Sequence, residues 1–155
     1  MKILSFFTLA TLTLAVLALT SFTNQHSITK KGSLSGTWKL VSSKSITKKD
    51  TVDTSPAKGI ETLKIYNDTH FTFFTHNIDK SATPTYDSGA GTYTLSGNKY
   101  TEHLKYCSER EWENHDFNFT IQLKQNSFTQ RGVEKVDSGS VHIDHIIIET
   151  YLRVK

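Results

Sequence analysis

Hydrophobic and polar residues alternate with a period of two along most of the chain beyond residue 36. Eight such runs occur: "TWKLV", "GIETLKIY", "HFTFFTH", "GTYTLSG", "KYTEHLKYC", "DFNFTIQLK", "SFTQRGVE" and "HIIIETYLRVK". They are rich in Thr, Tyr, Phe and Ile, which favour half-buried strands. No long amphipathic helical pattern interrupts them. The pattern therefore predicts an all-β domain.

The connections between runs predict how the strands are arranged. Several are short and carry turn residues: Asn67-Asp68, Ser96-Gly97-Asn98 and Gln125-Asn126. Short turns of this kind join antiparallel neighbours. Eight strands in successive hairpins predict an antiparallel up-and-down barrel, which closes on itself and leaves no exposed edge. A two-sheet sandwich is the alternative, but it needs crossover connections that these turns do not favour.

The first residues have the layout of a secretory signal peptide. Lys2 supplies a positive start, residues 3–19 are mostly apolar, and small or polar residues follow. We expect residues 1–20 to be removed as a signal peptide, 21–33 to be a linker and 34–155 to form the barrel. An uncleaved signal anchor is the alternative. Because of this signal peptide, we expect the protein to be secreted or periplasmic.

The net charge and the cysteine count limit the kinds of binding partner and of covalent crosslink that we expect. The chain of 155 residues has 18 Lys and Arg against 15 Asp and Glu, and loss of Lys2 leaves 17 against 15. This charge is too small to predict binding to nucleic acid or to an acidic membrane surface, so membrane contact is expected only through an uncleaved signal segment. Cys107 is the only cysteine, which leaves no intrachain disulfide, and we interpret it as a small buried apolar residue.

Three stretches resemble a known superfamily: "GTWKLVS", "GTYTLSGNKYTEHLKY" and "ETYLRVK". The Gly-x-Trp of Gly36 and Trp38 is similar to the first-strand motif of the lipocalin (calycin) superfamily. The chain looks closest to an uncharacterised family of bacterial secreted lipocalin-like domains within it. The resemblance implies that Trp38 closes one end of the barrel and packs against Arg153 from the last strand.

An eight-stranded barrel is just wide enough to be filled by side chains or to hold one small ligand. Alternation predicts the ligand wall, which consists of Phe71, Phe73, Tyr93, Tyr100, Glu102, Leu104, Phe119, Ile121 and Arg131. Glu102 and Arg131 are the expected polar anchors, and an arginine there would suit a fatty-acid-like carboxylate. A structural ion pair of Glu102 with Arg131 or His145 is the alternative interpretation.

No pattern indicates a catalytic or metal centre. The histidines lack the spacing that brings two imidazoles to one ion, since His142 and His145 face opposite sides of a strand. No nucleophile elbow or phosphate loop occurs, and no cofactor is expected. The leading hypothesis is binding of a small apolar ligand inside the barrel. The alternatives are a barrel enzyme that uses His103 or Glu102 as acid or base, and a filled barrel that interacts with the cell envelope.

Overall fold

The computed structural model describes residues 33–155. The predicted signal peptide (1–20) and nearly all of the predicted linker (21–33) lie outside the described residues. The strands are β1 (Gly36–Ile46), β2 (Thr51–Asp53), β3 (Ile60–Tyr66), β4 (His70–Asn77), β5 (Tyr86–Ser96), β6 (Lys99–Cys107), β7 (His115–Leu123), β8 (Ser127–Ser138) and β9 (Val141–Arg153). A 3₁₀ turn at Arg110–Trp112 lies between β6 and β7.

Eight of these strands close into an antiparallel barrel. From β3 to β9, each strand pairs with the next one along the chain, and β1 pairs with both β3 and β9. The short β2 pairs only with the far end of β1 and stands outside the closed ring. The prediction of an eight-stranded antiparallel up-and-down barrel, lipocalin-like in architecture, is confirmed. Closure pairs the first and last strands, so neither leaves a free edge along its paired length.

One end of the barrel, called the closed end, is filled by aromatic side chains. Trp38 is fully buried and meets Phe128 edge-on at 4.9 Å between ring centroids. Phe128 in turn stacks on Tyr151 at 4.6 Å. The other buried side chains of this end are Leu34, Tyr66, Phe71, Tyr100, Phe119 and Ile121. Together they form a packed hydrophobic core.

Trp38 and Arg153 form the plug of the closed end. The Arg153 guanidinium lies 4.0 Å from the centre of the Trp38 ring, a cation–π contact. The same guanidinium donates to the backbone oxygens of Ser35 and Gln125, at 2.8 and 3.1 Å. Gly36 has a φ of +126°, and a Cβ there would lie 2.6 Å from an Arg153 nitrogen. The positive φ favours glycine next to the plug, and a side chain there would also displace the Arg153 guanidinium.

The opposite end is open because β1 and β3 separate. They pair only from Gly36 to Lys39, whereas β1 stays paired with β9 as far as Ile46, with a register shift in that pairing between Leu40 and Ser42. A loop lines the resulting gap, and it is fastened by hydrogen bonds from Thr54 N to Ser43 O (2.9 Å) and from Ser43 N to Ser55 Oγ (3.0 Å). The barrel thus has one sealed end and one end that gives access to its interior.

A β-bulge in β6 lies opposite Ala90 and Gly91 of β5, which belong to the "GAG" sequence, and Lys105 is its extra residue. The register of β5 against β6 shifts between Ala90 and Gly91. A Cβ on Gly91 would stand 1.9 Å from the backbone oxygen of His103. The two strands approach so closely beside the bulge that no side chain fits at Gly91, and glycine is common where another backbone comes this near.

Candidate functional site

Four polar side chains from four strands meet inside the barrel, and we call them the polar layer. They are Lys64 of β3, Glu102 of β6, Gln130 of β8 and Glu149 of β9. Lys64, Glu102 and Gln130 are buried, at 4%, 6% and 1% exposure. Each faces inward, and the neighbouring inward position on its strand holds an aromatic residue of the closed end. The polar layer therefore lies directly on the aromatic core.

Lys64 and Glu102 form a buried ion pair at the centre of this layer. The Tyr100 hydroxyl donates a hydrogen bond to Glu102 (2.8 Å), and the Tyr66 hydroxyl lies 3.0 Å from that of Tyr100. Burial by itself lowers the pKa of Lys64, but its polar neighbours, the negative charge of Glu102 first among them, together outweigh burial, and the net pKa is raised. Lys64 is therefore a charged partner held by carboxylates, and it is not a nucleophile.

Glu149 is held by neutral donors. Its Oε2 accepts a hydrogen bond from Tyr151 OH and another from Gln130 Nε2, both at 2.8 Å. Burial raises the pKa of Glu149, and the charge of Lys64 offsets this only in part. The other polar atom of the Gln130 amide, Oε1, is buried and has no hydrogen-bond partner among the residues that the structure describes.

A second polar chain lies nearer the open end. His145 Nε2 is 2.9 Å from Glu134 Oε2, and His145 Nδ1 is 3.0 Å from Ser45 Oγ. Burial raises the pKa of Glu134 in spite of its hydrogen bond to His145. The negative charge of Glu149 adds to this increase. Glu134 and Glu149 are thus carboxyls whose ionised forms are disfavoured by their surroundings.

Two adjoining cavities occupy the open half of the barrel. The larger, about 440 Å³, lies over the polar layer and reaches the loop at Thr54–Ala57. The smaller, about 290 Å³, lies against Leu104, Trp112 and Phe117. Phe73, Glu102 and Glu134 line both cavities, so the two are parts of one interior space. Its walls combine apolar side chains with a few buried polar groups, as small-molecule sites do.

The residues predicted to form the ligand wall divide between the two halves of the barrel. Phe73, Glu102 and Leu104 line the cavities. The others that face inward belong to the packed core or rest against it, and these are Phe71, Tyr93, Tyr100, Phe119 and Ile121. Alternation identified the inner face of these strands, but it could not distinguish the filled half of the barrel from the open half.

Arg131 is the one predicted wall residue that faces the wrong way. Its side chain is exposed on the outer surface, because Phe128 and Gln130 set the inner face of β8 and Arg131 follows at an odd step. The predicted role of Arg131 inside the barrel is therefore wrong, and neither Arg131 nor His145 is the partner of Glu102. His103 is also on the outside, where its Nδ1 lies 2.8 Å from Asp116 Oδ1. An interior acid–base role for His103 is not compatible with this position.

The residues that the sequence analysis missed are Lys64, Gln130, Glu134 and Glu149. In "GIETLKIY" the apolar Leu63 and Ile65 mark the opposite face from Lys64, and hydrophobicity alone places them inward. The structure turns Ile65 to the surface, at 37% exposure, and buries Lys64. One signal was present: Tyr66 lies on the same face as Lys64, just as Tyr100 lies on the face of Glu102.

Cys107 borders the smaller cavity and is half-buried. Burial raises the pKa of its thiol, and nearby carboxylates add to the effect. A thiol in these surroundings stays protonated and is a weak nucleophile. Between residues 33 and 155, no group of three or more His, Cys, Asp or Glu side chains could hold a metal ion. Over the same residues, no helix is long and apolar enough to cross a membrane.

A comparison with known protein families gives a match, and it spans the whole barrel. Residues 33–155 match DUF4488, a domain family of unknown function. The chain belongs to the DUF4488 family. The match covers all nine strands, together with the Gly36–Trp38–Arg153 plug and the polar layer. No curated protein and no solved structure matches this DUF4488 chain.

Proposed function

We propose that this DUF4488 domain is an exported binding protein that holds one small, largely apolar ligand in the open half of its barrel. The observation that carries the proposal is the interior space of two adjoining cavities, of about 440 and 290 Å³, above a sealed aromatic end. Leu40, Phe73, Leu104 and Phe117 supply apolar walls, and the polar layer supplies hydrogen-bonding groups at the base. The alternative hypothesis of a barrel filled by its own side chains fits the closed half of the barrel but not the half that contains the cavities.

The proposal also relates the domain to the lipocalin superfamily. The support is the closed eight-stranded barrel together with the Gly36-x-Trp38 motif and the contact between Trp38 and Arg153. The proposal of binding inside the barrel is supported by the cavities and does not depend on this relationship.

Titration with the neutral fluorescent probe N-phenylnaphthylamine tests the binding function. We expect a saturable increase in probe fluorescence with one site per chain. Thr75→Phe fills the larger cavity from β4 and should abolish the increase. Thr120→Phe, on the exposed outer face of β7, is the matched control and should leave binding unchanged. Absence of saturable binding, or equal binding by both variants, would rule out the interior site.

Export is proposed from the N-terminal sequence alone. Expression with the native N-terminus in a bacterial host, followed by fractionation and intact-mass measurement, tests it. We expect protein in the periplasm or medium that lacks residues 1 to about 20. A cytoplasmic protein of full mass would contradict the proposal, and a membrane-bound protein of full mass would indicate an anchor.

A further inference from the structure

The walls of the interior space carry more acidic than basic groups. In the smaller cavity, Asp87, Glu102, Glu109 and Glu134 contribute carboxyl groups, and no lining residue of the described chain is basic. In the larger cavity, Lys64 is the only basic residue that lines it within the described part of the chain. The interior is thus an acidic cleft with low-dielectric walls, in which the carboxylates interact strongly with the charge of a bound ligand.

The basic side chains that reach the interior already have acidic partners. Lys64 is paired with Glu102, and His145 is hydrogen-bonded to Glu134. Within residues 33–155, Glu149 accepts side-chain hydrogen bonds only from two neutral groups, the Tyr151 hydroxyl and the Gln130 amide. The charge of Lys64 acts on Glu149 only from a distance, and a buried carboxylate that is in no direct ion pair is costly. The raised pKa values of Glu149 and Glu134 are a second sign of this shortage of positive charge.

Gln130 gives an independent sign that a donor is missing. Its side chain is 1% exposed and lines the larger cavity, and its Oε1 has no partner within residues 33–155. The amide cannot simply be reversed, because Nε2 is the atom that donates to Glu149, and an ionised carboxylate accepts only from a donor. Buried side-chain oxygens are nearly always hydrogen-bonded in folded proteins. A ligand with N–H groups beside Glu149 would supply the missing donor.

The apolar walls also suit a cation. Phe73, Trp112 and Phe117 line the smaller cavity, and the Trp112 and Phe117 rings are 5.8 Å apart. The faces of aromatic rings attract ammonium groups, Trp most strongly. Aromatic ring faces and carboxylates both attract an organic ammonium ion, and this interior offers the two kinds of group side by side.

We propose that the ligand of this barrel is a small amphipathic amine, bound as its ammonium ion with the N–H groups at Glu149 and Gln130 and the apolar part along Phe73. This inference rests on the proposed binding function and specifies the ligand class. An anionic ligand such as a fatty acid is disfavoured, because Arg131 lies on the outer surface and the interior carboxylates would repel it.

Isothermal titration with three probes of equal chain length tests the charge preference. The probes are n-octylammonium, n-octanol and n-octanoate at neutral pH and low salt. We expect octylammonium to bind at least about tenfold more tightly than octanol, which corresponds to ~1.4 kcal/mol, and octanoate to bind most weakly. Equal affinities, or tighter binding of octanol or octanoate, would overturn the inference while leaving the interior binding site in place. Binding of none of the three, and no binding of N-phenylnaphthylamine, would overturn both.

Variants that remove one carboxylate charge test which residues cause the preference for the ammonium ligand. Glu149→Gln keeps the shape and the hydrogen-bond acceptor but removes the charge, and Glu134→Gln does the same nearer the open end. We expect each to lower the ratio of octylammonium to octanol affinity by about fivefold or more, with octanol affinity nearly unchanged. Asp116→Asn on the outer surface is the matched control and should leave the ratio unchanged. An unchanged ratio in both interior variants would show that these carboxylates do not select the ligand.

Discussion

Replacement of Lys64 by methionine is the most direct test of the energetics of the polar layer. Methionine nearly preserves the length and volume of the lysine stem, so little cavity is created. What is lost is the charge: Lys64 and Glu102 side chains are only 5% and 8% exposed, and Glu149 is close by. Removal of one partner from a buried ion pair costs about 3–5 kcal/mol. We expect Lys64→Met to lose this amount, a large part of the total stability of a domain of this size.

Urea unfolding followed by tryptophan fluorescence and far-UV circular dichroism measures this loss. With a urea dependence of about 2 kcal/mol per M, the unfolding midpoint should fall by roughly 2 M. The exposed pair of Lys39 with Glu61 is a matched control, since it joins the same residue types on the outside of the barrel. Lys39→Met should cost less than about 1 kcal/mol.

The double variant Lys64→Met/Glu102→Gln separates the ion pair from other effects of the substitution. It removes both charges, and the amide oxygen can still accept from Tyr100. We expect it to be more stable than Lys64→Met alone by about 2 kcal/mol, since no unpaired charge stays buried beside the aromatic core. If Lys64→Met is as stable as the wild type, or if the double variant is the less stable of the two, the charge of Lys64 does not compensate the buried carboxylate of Glu102.

Three further predictions concern the plug, the bulge and the acidic interior. Trp38→Ala should cost about 3–5 kcal/mol in urea unfolding, because it empties the closed end and removes the Arg153 contact; a neutral effect would contradict the plug. Gly91→Ala should cost about 1–3 kcal/mol, because its Cβ meets the His103 backbone oxygen, and wild-type stability would show that the bulge relaxes freely. The raised pKa of Glu149 means that the folded state binds its proton more tightly than the unfolded chain does, so this residue lowers wild-type stability as pH rises above 4.5. Glu149→Gln should therefore gain stability relative to wild type between pH 4.5 and neutrality, and the opposite trend in urea midpoints would refute this sign.

The sequence determined the architecture because alternation and turn chemistry are local properties. Period-two runs separated by turns such as Asn67-Asp68 leave few arrangements other than successive hairpins, and the pairing of the first and last strands removes their edges. The inner faces of β4, β6 and β7 could be predicted for the same reason, because on those strands most of the large apolar residues share one side.

Only the tertiary structure decided what the inner faces do. Which wall residues pack and which border a cavity depends on how far β1 and β3 separate at the open end, and no single strand encodes this distance. The partner of Glu102 comes from 38 residues away, on a strand whose apolar Leu63 and Ile65 lie opposite the buried lysine. A charged residue is buried when a partner from another strand compensates its desolvation, so its position depends on pairs that form only when the barrel closes. The acidic character of the interior is a sum over several strands, and closure of the barrel is what brings those strands around one space.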